Sequence, residues 1–165
     1  MTLANYLYSL VYSNVYGKEM WIKWAVGFLE SLEYTEETEW IFNVAFAQDK
    51  SSLFDAIYEK RLKEDFMNVS KYTLTEIIQG YYFYLYKNEK IDLYFMIKKS
   101  GDVADEQQNC IGCEFFYNLL NQIDKNSEYF KSNEFIKTIN SYYYPRYSEA
   151  IIQKTQFESA TISDL

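Results

Sequence analysis

Cys110 and Cys113 have the C-x-x-C spacing found in thiol redox sites and in zinc sites. Redox chemistry needs a thiolate, and the carboxylates of Asp105, Glu106 and Glu114 would disfavour that charged form. A zinc site needs further sulfur or imidazole ligands, but the chain has only 2 Cys and 0 His. We therefore predict that Cys113 is a small core residue, and we expect no metal and no cofactor.

Acid–base catalysis finds little support in the residue types. Without histidine, the commonest general base near neutral pH is missing, so catalysis would depend on a carboxylate pair, as in glycoside hydrolysis. The spacing of the acids indicates no such pair. Neither a glycine-rich phosphate loop nor a G-x-S-x-G turn is present. We predict that the protein is not an enzyme, with a carboxylate-based enzyme as the third hypothesis.

Acidic residues lie in two stretches that contain no lysine or arginine, one between Trp24 and Asp49 and one between Lys99 and Lys125. The formal net charge is −8, which argues against binding to nucleic acid or to an anionic membrane. A basic protein partner fits this charge, and a merely solvated face is the alternative. The acids predicted to contact the partner are Glu30, Glu33, Glu36, Glu37, Glu39, Asp49, Asp102, Asp105 and Glu106.

Tyrosine is unusually frequent, with 18 residues, several of them clustered in 81–86 and 142–147. Successive side chains on a helix point about 100° apart, so the clustered tyrosines cannot all face the core. We predict that Tyr84, Tyr86 and Tyr143 are interface residues. The alternative function is therefore a helical structural or adaptor domain that forms a homo-oligomer through exposed tyrosines.

Few chain breakers occur in the 165 residues, with 1 Pro and 5 Gly, so long helices are expected. We predict an all-α single domain over 1–158, built as a multi-helix bundle or as stacked helical pairs, with a frayed tail at 159–165. Ser100-Gly101-Asp102 is predicted to be a helix break, and Thr2 a helix cap. The predicted helices are 2–16, 18–33, 35–48, 51–66, 74–87, 90–99, 106–124, 132–141 and 145–156.

The segment 81–97 allows a second interpretation. Its two aromatic runs, 81–86 and 91–97, are also compatible with a β-hairpin, which would make the fold α+β. The capping-box sequence from Thr73 to Glu76 and the lack of apolar–polar alternation favour helices instead.

The expected compartment is the cytoplasm. No basic segment precedes Lys18, no apolar run approaches the ~20 residues of a membrane span, and two cysteines are too few for a disulfide framework.

Trp21, Ala25 and Phe28 recur at the spacing of one apolar helix face, and a second helix is predicted to begin after Thr35. The pattern of Trp21–Glu30 followed by Thr35–Ala47 resembles the helical pair of small bacterial immunity proteins from polymorphic toxin and contact-dependent growth inhibition systems. The resemblance covers about a quarter of the chain. It implies a cytoplasmic protein that binds one cognate toxin, often a basic nuclease, and blocks it.

Overall fold

The computed structural model describes residues 1–106 and 112–165 in full, and the backbone alone of Cys110 and Ile111. The described residues form helices and contain no strand, so the fold is all-α, as predicted. The helices are α1 (Leu3–Tyr12), α2 (Lys18–Leu29), α3 (Glu39–Phe46), α4 (Lys50–Lys63), α5 (Phe66–Val69), α6 (Leu74–Lys87), α7 (Leu93–Glu106), α8 (Cys110–Lys125) and α9 (Asn133–Glu158), with short 3-10 turns at Tyr129–Lys131 and Ile162–Asp164.

The helices divide into two compact units. Unit 1 comprises residues 1–71 and 152–165, and unit 2 comprises residues 72–151. The last residues of α9 therefore belong to unit 1 and its earlier residues to unit 2. That residues 1–158 behave as one domain stays a prediction.

In unit 1, α2 packs against α3, and both α1 and α3 pack against α4. The predicted apolar face of α2 is confirmed, because Trp21, Ala25 and Phe28 are buried. The Trp24 ring stacks on Phe157, with 4.3 Å between the ring centroids. Burial of these aromatic and aliphatic side chains provides the main stabilisation of the unit.

In unit 2, α7 packs against both α6 and α8. The Phe83 and Tyr143 rings stack 5.2 Å apart at the centre of an aromatic core. The largest side chains that are fully buried in this unit are Tyr81, Phe83, Phe116, Phe135 and Tyr143.

The predicted helix 74–87 is confirmed, and the β-hairpin alternative is wrong because residues 81–87 and 93–97 are helical. The N-terminus of α6 forms the predicted capping box. Thr73 Oγ1 accepts a hydrogen bond from the Glu76 amide (3.3 Å), and a Glu76 carboxylate oxygen accepts one from the Thr73 amide (3.0 Å). Both partners lie three residues apart, which explains why the sequence alone predicted this boundary.

The predicted break at Ser100-Gly101-Asp102 is wrong, since α7 continues through these residues to Glu106. Gly101 is buried, and a Cβ atom there would lie 3.0 Å from the Tyr117 ring. The glycine therefore allows α7 to approach α8 closely, and it does not end the helix.

The two predicted helices 132–141 and 145–156 are one continuous helix, α9, with Pro145 inside it. A proline inside a helix removes one backbone hydrogen bond, which normally favours a break. Next to it, Arg146 Nη1 donates to the Tyr142 carbonyl (2.8 Å), and Tyr143 and Ala150 are buried on either side of the proline. Tertiary packing on both sides of Pro145 offsets the lost hydrogen bond.

The predicted helix 35–48 begins later than expected, at Glu39, and ends at Phe46. Thr38 Oγ1 accepts a hydrogen bond from the Thr35 amide (2.9 Å) and donates one to the Glu33 carbonyl (2.6 Å). These local side-chain bonds compete with helix formation and hold the preceding residues in a turn.

Helix α4 begins at Lys50, where Asp49 and Ser52 form a capping box, and ends at Lys63. The prediction that it extends to Phe66 is wrong, because Phe66 begins α5. Tyr58 and Leu62 are exposed. The buried face is centred on Leu53 and Ile57, and Leu62 points about 180° away from Leu53.

The predicted cap of α1 is also wrong, because the Thr2 side chain makes no capping hydrogen bond. Glu64, sixty residues away, replaces it. One Glu64 carboxylate oxygen accepts from the Ala4 amide (2.9 Å), and the other accepts from the Asn5 amide (2.9 Å) and the Asn5 side chain (2.8 Å). A carboxylate at a helix N-terminus is favoured by the free amides and the helix dipole.

A chain of buried hydrogen bonds links three helices of unit 2. Tyr143 donates to Ser100 Oγ (2.7 Å), Gln79 Nε2 donates to the Ser100 carbonyl (3.0 Å), and Tyr142 donates to Gln79 Oε1 (2.6 Å). Burial is the largest influence on Tyr142 and raises the pKa of its hydroxyl from 10.0 to about 12. The pKa of Tyr143 is also raised, again by burial.

We expect this network to make unfolding sensitive to alkaline pH. A folded-state pKa above the unfolded value means that the stabilisation is complete below about pH 10 and declines as pH rises through the folded pKa. Urea midpoints measured between about pH 9 and about pH 12 should fall steadily. In the variant Tyr142→Phe this decline should be shallower, and an identical pH profile in the two proteins would contradict the assignment.

Candidate protein-binding groove

An open groove of about 990 Å³ lies entirely within unit 1. Three segments form its walls: the turn before α3 together with the first residues of α3, one face of α4, and the segment that follows α4 together with the first two residues of the chain. The lining residues are Met1, Thr2, Glu36, Glu37, Glu39, Trp40, Asn43, Asp55, Ala56, Glu59, Lys60, Lys63, Glu64, Asp65 and Val69.

The groove is strongly acidic. Seven lining side chains are carboxylates and two are lysines, which leaves five uncompensated negative charges. Among the residues that the structure describes, no lysine or arginine forms an ion pair with a groove carboxylate. The other two bases of α4 do not line the groove: Lys50 donates to Asn14 Oδ1 (2.5 Å), and Arg61 lies over the Tyr8 ring, 3.5 Å from its centroid. The field of the groove therefore favours a cation.

The turn at Thr38 determines the conformation of the wall that precedes α3. That turn leaves Glu36 and Glu37 exposed outside the helix, with Glu39 in its first turn. Tyr34 donates a hydrogen bond to Glu39 (3.0 Å), and this bond is the main reason that the pKa of Tyr34 is raised. The three glutamates are thus grouped on one wall of the groove.

The base of the groove holds two buried polar side chains. Trp40 is 5% exposed and Thr2 is 4% exposed, and both residues line the groove. Neither Trp40 Nε1 nor Thr2 Oγ1 has a hydrogen-bond partner within the described part of the chain. Such an unpaired buried group costs about 1–3 kcal/mol.

Lys60 crosses the groove near Trp40. Its Nζ lies 5.6 Å from the centroid of the Trp40 ring and donates to the Leu165 carbonyl at 2.6 Å. The Trp40 ring therefore already interacts with the Lys60 ammonium group. The hydrogen bond to the Leu165 carbonyl holds that ammonium group in place. Residues 159–165, predicted to be a frayed tail, contact the rest of unit 1 through this bond.

Glu64 is the most buried of the groove acids, and burial is the largest influence that raises its pKa. The hydrogen bonds from Ala4 and Asn5 act in the opposite direction. Because its carboxylate caps α1, Glu64 contributes to the charge of the groove but has few acceptor sites left for a partner.

The acids predicted to contact the partner separate into distinct groups. Glu36, Glu37 and Glu39 line the groove, whereas Glu30 and Glu33 are exposed in unit 1 outside it. Asp49 caps α4 by accepting from the Ser52 amide (2.9 Å), a bond that lowers its pKa.

The other three predicted acids, Asp102, Asp105 and Glu106, belong to unit 2. Asp102 is already paired with two lysines of its own helix. Burial raises its pKa, but hydrogen bonds from Lys98 (3.1 Å) and Lys99 (3.4 Å) outweigh that effect and leave the pKa below its usual value. Lys98 and Lys99 lie four and three residues before Asp102 in the sequence. Residues at these spacings are neighbours on the surface of a helix.

The predicted interface tyrosines are less accessible than expected. Tyr143 is fully buried, so it is a core residue and not a surface contact, while Tyr84 and Tyr86 are half-buried. The tyrosines that are exposed are Tyr34, Tyr58, Tyr94 and Tyr144.

Trp40, Asp55, Glu59 and Asp65 line the groove but were not predicted from the sequence as partner contacts. A signal was present, because Asp55 and Glu59 are four residues apart and like charges at that spacing repel each other.

Cys113 is buried, which confirms its prediction as a core residue. The Cys110 side chain lies outside the described residues.

Across the described residues, no group of three or more Asp, Glu or Cys side chains is arranged to hold a metal ion. In the same part of the chain, no helix is both long enough and apolar enough to cross a membrane. Comparison with protein-family models, with curated proteins and with solved structures found no match to this chain.

Proposed function

We propose that the protein is a non-catalytic binding protein that captures a basic protein partner in the acidic groove of unit 1. The supporting observation is the excess of five negative charges among the side chains that line one groove of about 990 Å³. Like charges held this close raise the free energy of the free protein, and a cationic partner relieves that repulsion.

The groove favours a protein partner over a small cation. Met1 and Val69 line it and are half-exposed, so the concavity offers apolar as well as acidic surface. Protein interfaces also combine apolar with charged surface. Charge attraction would accelerate association, and the apolar contacts would slow dissociation.

The resemblance of Trp21–Ala47 to bacterial immunity proteins leads us to propose that the partner is a cognate toxin. Nuclease toxins carry basic surfaces because they bind nucleic acid, and an acidic inhibitor that covers such a surface excludes the substrate. The proposed site of action is the bacterial cytoplasm. Inhibition in this proposal is by occlusion and requires no chemical step.

The test begins with capture of the partner from the native host at low salt, followed by its identification and purification. Binding of the purified partner is then measured for the variant Glu36→Lys/Glu37→Lys/Glu39→Lys. Each reversed charge is expected to cost about 1 kcal/mol, so the affinity should fall on the order of 100-fold. High salt should weaken binding of the unaltered protein in the same direction.

The matched control is Glu19→Lys/Glu30→Lys/Glu33→Lys, which changes the net charge by the same amount at exposed residues of unit 1 outside the groove. This variant should retain most of the affinity. Equal losses in the two variants would show that only net charge matters and would overturn the assignment of the groove. A salt-insensitive homodimer that has no basic partner would favour the adaptor hypothesis.

Neutralisation is tested separately from binding. Expression of the partner in a bacterial host should arrest growth, and co-expression of this protein should restore it. The groove variant should restore growth less well than the control variant. A partner that binds in the groove but has no effect on growth would contradict the toxin assignment while leaving the binding assignment intact.

A further inference from the structure

The turn before α3 places an exposed tyrosine against that helix. The Tyr34 ring contacts the Phe42 ring, with 5.1 Å between the centroids and an interplanar angle of 72°, and the Tyr34 hydroxyl donates to Glu39 Oε1 (3.0 Å). Phe42 follows Glu39 by three residues, so the two side chains are neighbours on the surface of α3. Tyr34, Glu39 and Phe42 thus form a corner of two aromatic rings and one carboxylate, which we call the Tyr34 corner.

The Tyr34 corner is accessible, and contacts within the chain already hold its tyrosine in place. Tyr34 is 64% exposed, so its ring presents surface to solvent despite the contacts with Glu39 and Phe42. A side chain that is held in this way loses little conformational freedom when a partner binds, which lowers the cost of association. Tyrosine is also among the residues most enriched in the hot spots of protein interfaces.

The charge of the surrounding segment indicates which kind of side chain this corner attracts. No lysine or arginine occurs between Trp24 and Asp49. Around the turn, the exposed carboxylates are those of Glu33, Glu36, Glu37 and Glu39, and within the described ranges none of them forms an ion pair. The face of an aromatic ring also attracts cations. Charge complementarity therefore favours a cationic side chain.

The carboxylate of the Tyr34 corner has acceptor capacity left. Glu39 Oε1 accepts the bond from Tyr34, and Oε2 accepts none from the residues that the structure describes. An ionised carboxylate offers about four acceptor sites, so a further donor can bind. Because the carboxylate is bonded to the hydroxyl end of the tyrosine, a cation that lies over the Tyr34 ring is within reach of Glu39.

The chain itself holds an arginine with the same two components. The guanidinium carbon of Arg146 lies 3.8 Å from the centroid of the Tyr142 ring, and Arg146 Nη2 pairs with Glu76 Oε1 (2.5 Å). A planar guanidinium can stack on a ring and donate hydrogen bonds from its edge at the same time, which an ammonium group cannot do. Arg146 and Arg61 are the only arginines of the chain, and Arg61 lies over the Tyr8 ring. The Tyr34 corner therefore has the ring and the carboxylate of this arrangement without an arginine from its own chain.

We infer that the Tyr34 corner binds one arginine side chain of the basic partner, with the guanidinium over the Tyr34 ring and a hydrogen bond from it to Glu39. This inference rests on the proposed function and names the side chain that the acidic surface of unit 1 recognises. Glu39 also lines the groove, whereas Tyr34 and Phe42 do not, so the corner adjoins the groove at Glu39.

The probes are two short peptides of equal charge in which either arginine or lysine alternates with glycine. Binding is followed by NMR at low salt, where stacking on an aromatic ring shifts the arginine side-chain protons upfield. Tyr34→Leu removes the ring without a change in charge and should lower the affinity for the arginine peptide about fivefold and abolish the upfield shift. The matched control is Tyr58→Leu, at another exposed tyrosine of unit 1, which should retain both.

Three further comparisons separate the ring from the carboxylate. Glu39→Gln should weaken the arginine peptide more than Glu19→Gln, which removes the same charge at an exposed residue outside the corner. Tyr34→Phe keeps the ring but loses the bond to Glu39, so its affinity should lie between those of the unaltered protein and Tyr34→Leu. The lysine peptide should bind about threefold more weakly than the arginine peptide. Circular dichroism of each variant verifies that it remains folded.

Failure of this inference differs from failure of the proposed function. Equal affinity for the two peptides, no binding of the arginine peptide, or equal effects of Tyr34→Leu and Tyr58→Leu would overturn the arginine assignment. The variant Glu36→Lys/Glu37→Lys changes the groove but leaves all three residues of the corner unaltered. If the purified natural partner lost affinity in this variant and not in Tyr34→Leu, the inference would fail and the proposed function would stand. Unchanged affinity of that partner in both variants would remove both.

Discussion

Replacement of Gly80 by alanine is expected to destabilise the protein by about 3 kcal/mol, the upper part of the usual range for overpacking. Gly80 is buried in α6, and a Cβ atom at this position would lie 2.5 Å from the Arg146 carbonyl oxygen and 2.7 Å from its carbon. Both atoms belong to the backbone of α9, so a side-chain rotation cannot relieve the clash. The two helices would have to separate, which would loosen the aromatic core around Phe83 and Tyr143.

The expected fall in Tm is roughly 6–12 °C, measured by thermal denaturation followed by circular dichroism. The matched control is Gly27→Ala in α2, where nothing lies within 4 Å of the added Cβ atom. Alanine has the higher helix propensity, so this control should stabilise the protein by about 0.5–1 kcal/mol. An increase in Tm for both variants would contradict the close approach of α6 and α9 at Gly80.

Replacement of Glu64 by alanine should also cost about 3 kcal/mol, because it removes three hydrogen bonds at the start of α1. The amides of Ala4 and Asn5 would lose their acceptor in a buried environment, and Thr2 offers no side-chain cap to replace it. Relief of the cost of burying the carboxylate offsets only part of this loss. Urea denaturation of the variant measures the difference.

The control for this variant is Glu59→Ala, which removes an exposed carboxylate from the same groove and should change stability by less than about 0.5 kcal/mol. A loss of similar size in the two variants would mean that Glu64 contributes only charge. A preserved helix α1 in Glu64→Ala, detected by unchanged exchange of its first amides, would likewise contradict the capping role.

The pH dependence of the Glu64 contribution has a definite sign. Burial raises its folded-state pKa above the usual 4.5, so the stabilisation is complete below that value and declines as pH rises through the folded pKa. The difference in free energy of unfolding between the native protein and Glu64→Ala should therefore be larger near pH 4 than near pH 7. Asp49, whose pKa is lowered, should show the opposite trend.

Local patterns in the sequence predicted much of the secondary structure. The start of α6 follows from a capping box between Thr73 and Glu76, and the apolar face of α2 follows from helical spacing. The residues that decide these features lie within a few positions of one another. Propensity and spacing therefore suffice to predict them.

Long-range contacts explain the elements that local patterns missed. Gly101 and Pro145 are helix breakers in sequence, but packing of α7 against α8 and burial on both sides of the proline keep the helices continuous. The cap of α1 is supplied by Glu64, sixty residues away. No local rule identifies a partner at that separation, because its approach depends on how the helices pack.

The acidity of the protein and its all-helical fold were determined by the sequence itself, since composition sets the charge and periodicity sets the helices. Which carboxylates share a surface was decided only by the tertiary structure. Packing of α3 and α4 brought Glu36 and Glu59 to one groove, and packing within unit 2 buried Tyr143 in the core. Electrostatic interaction depends on distance through space, and separation along the chain does not determine that distance.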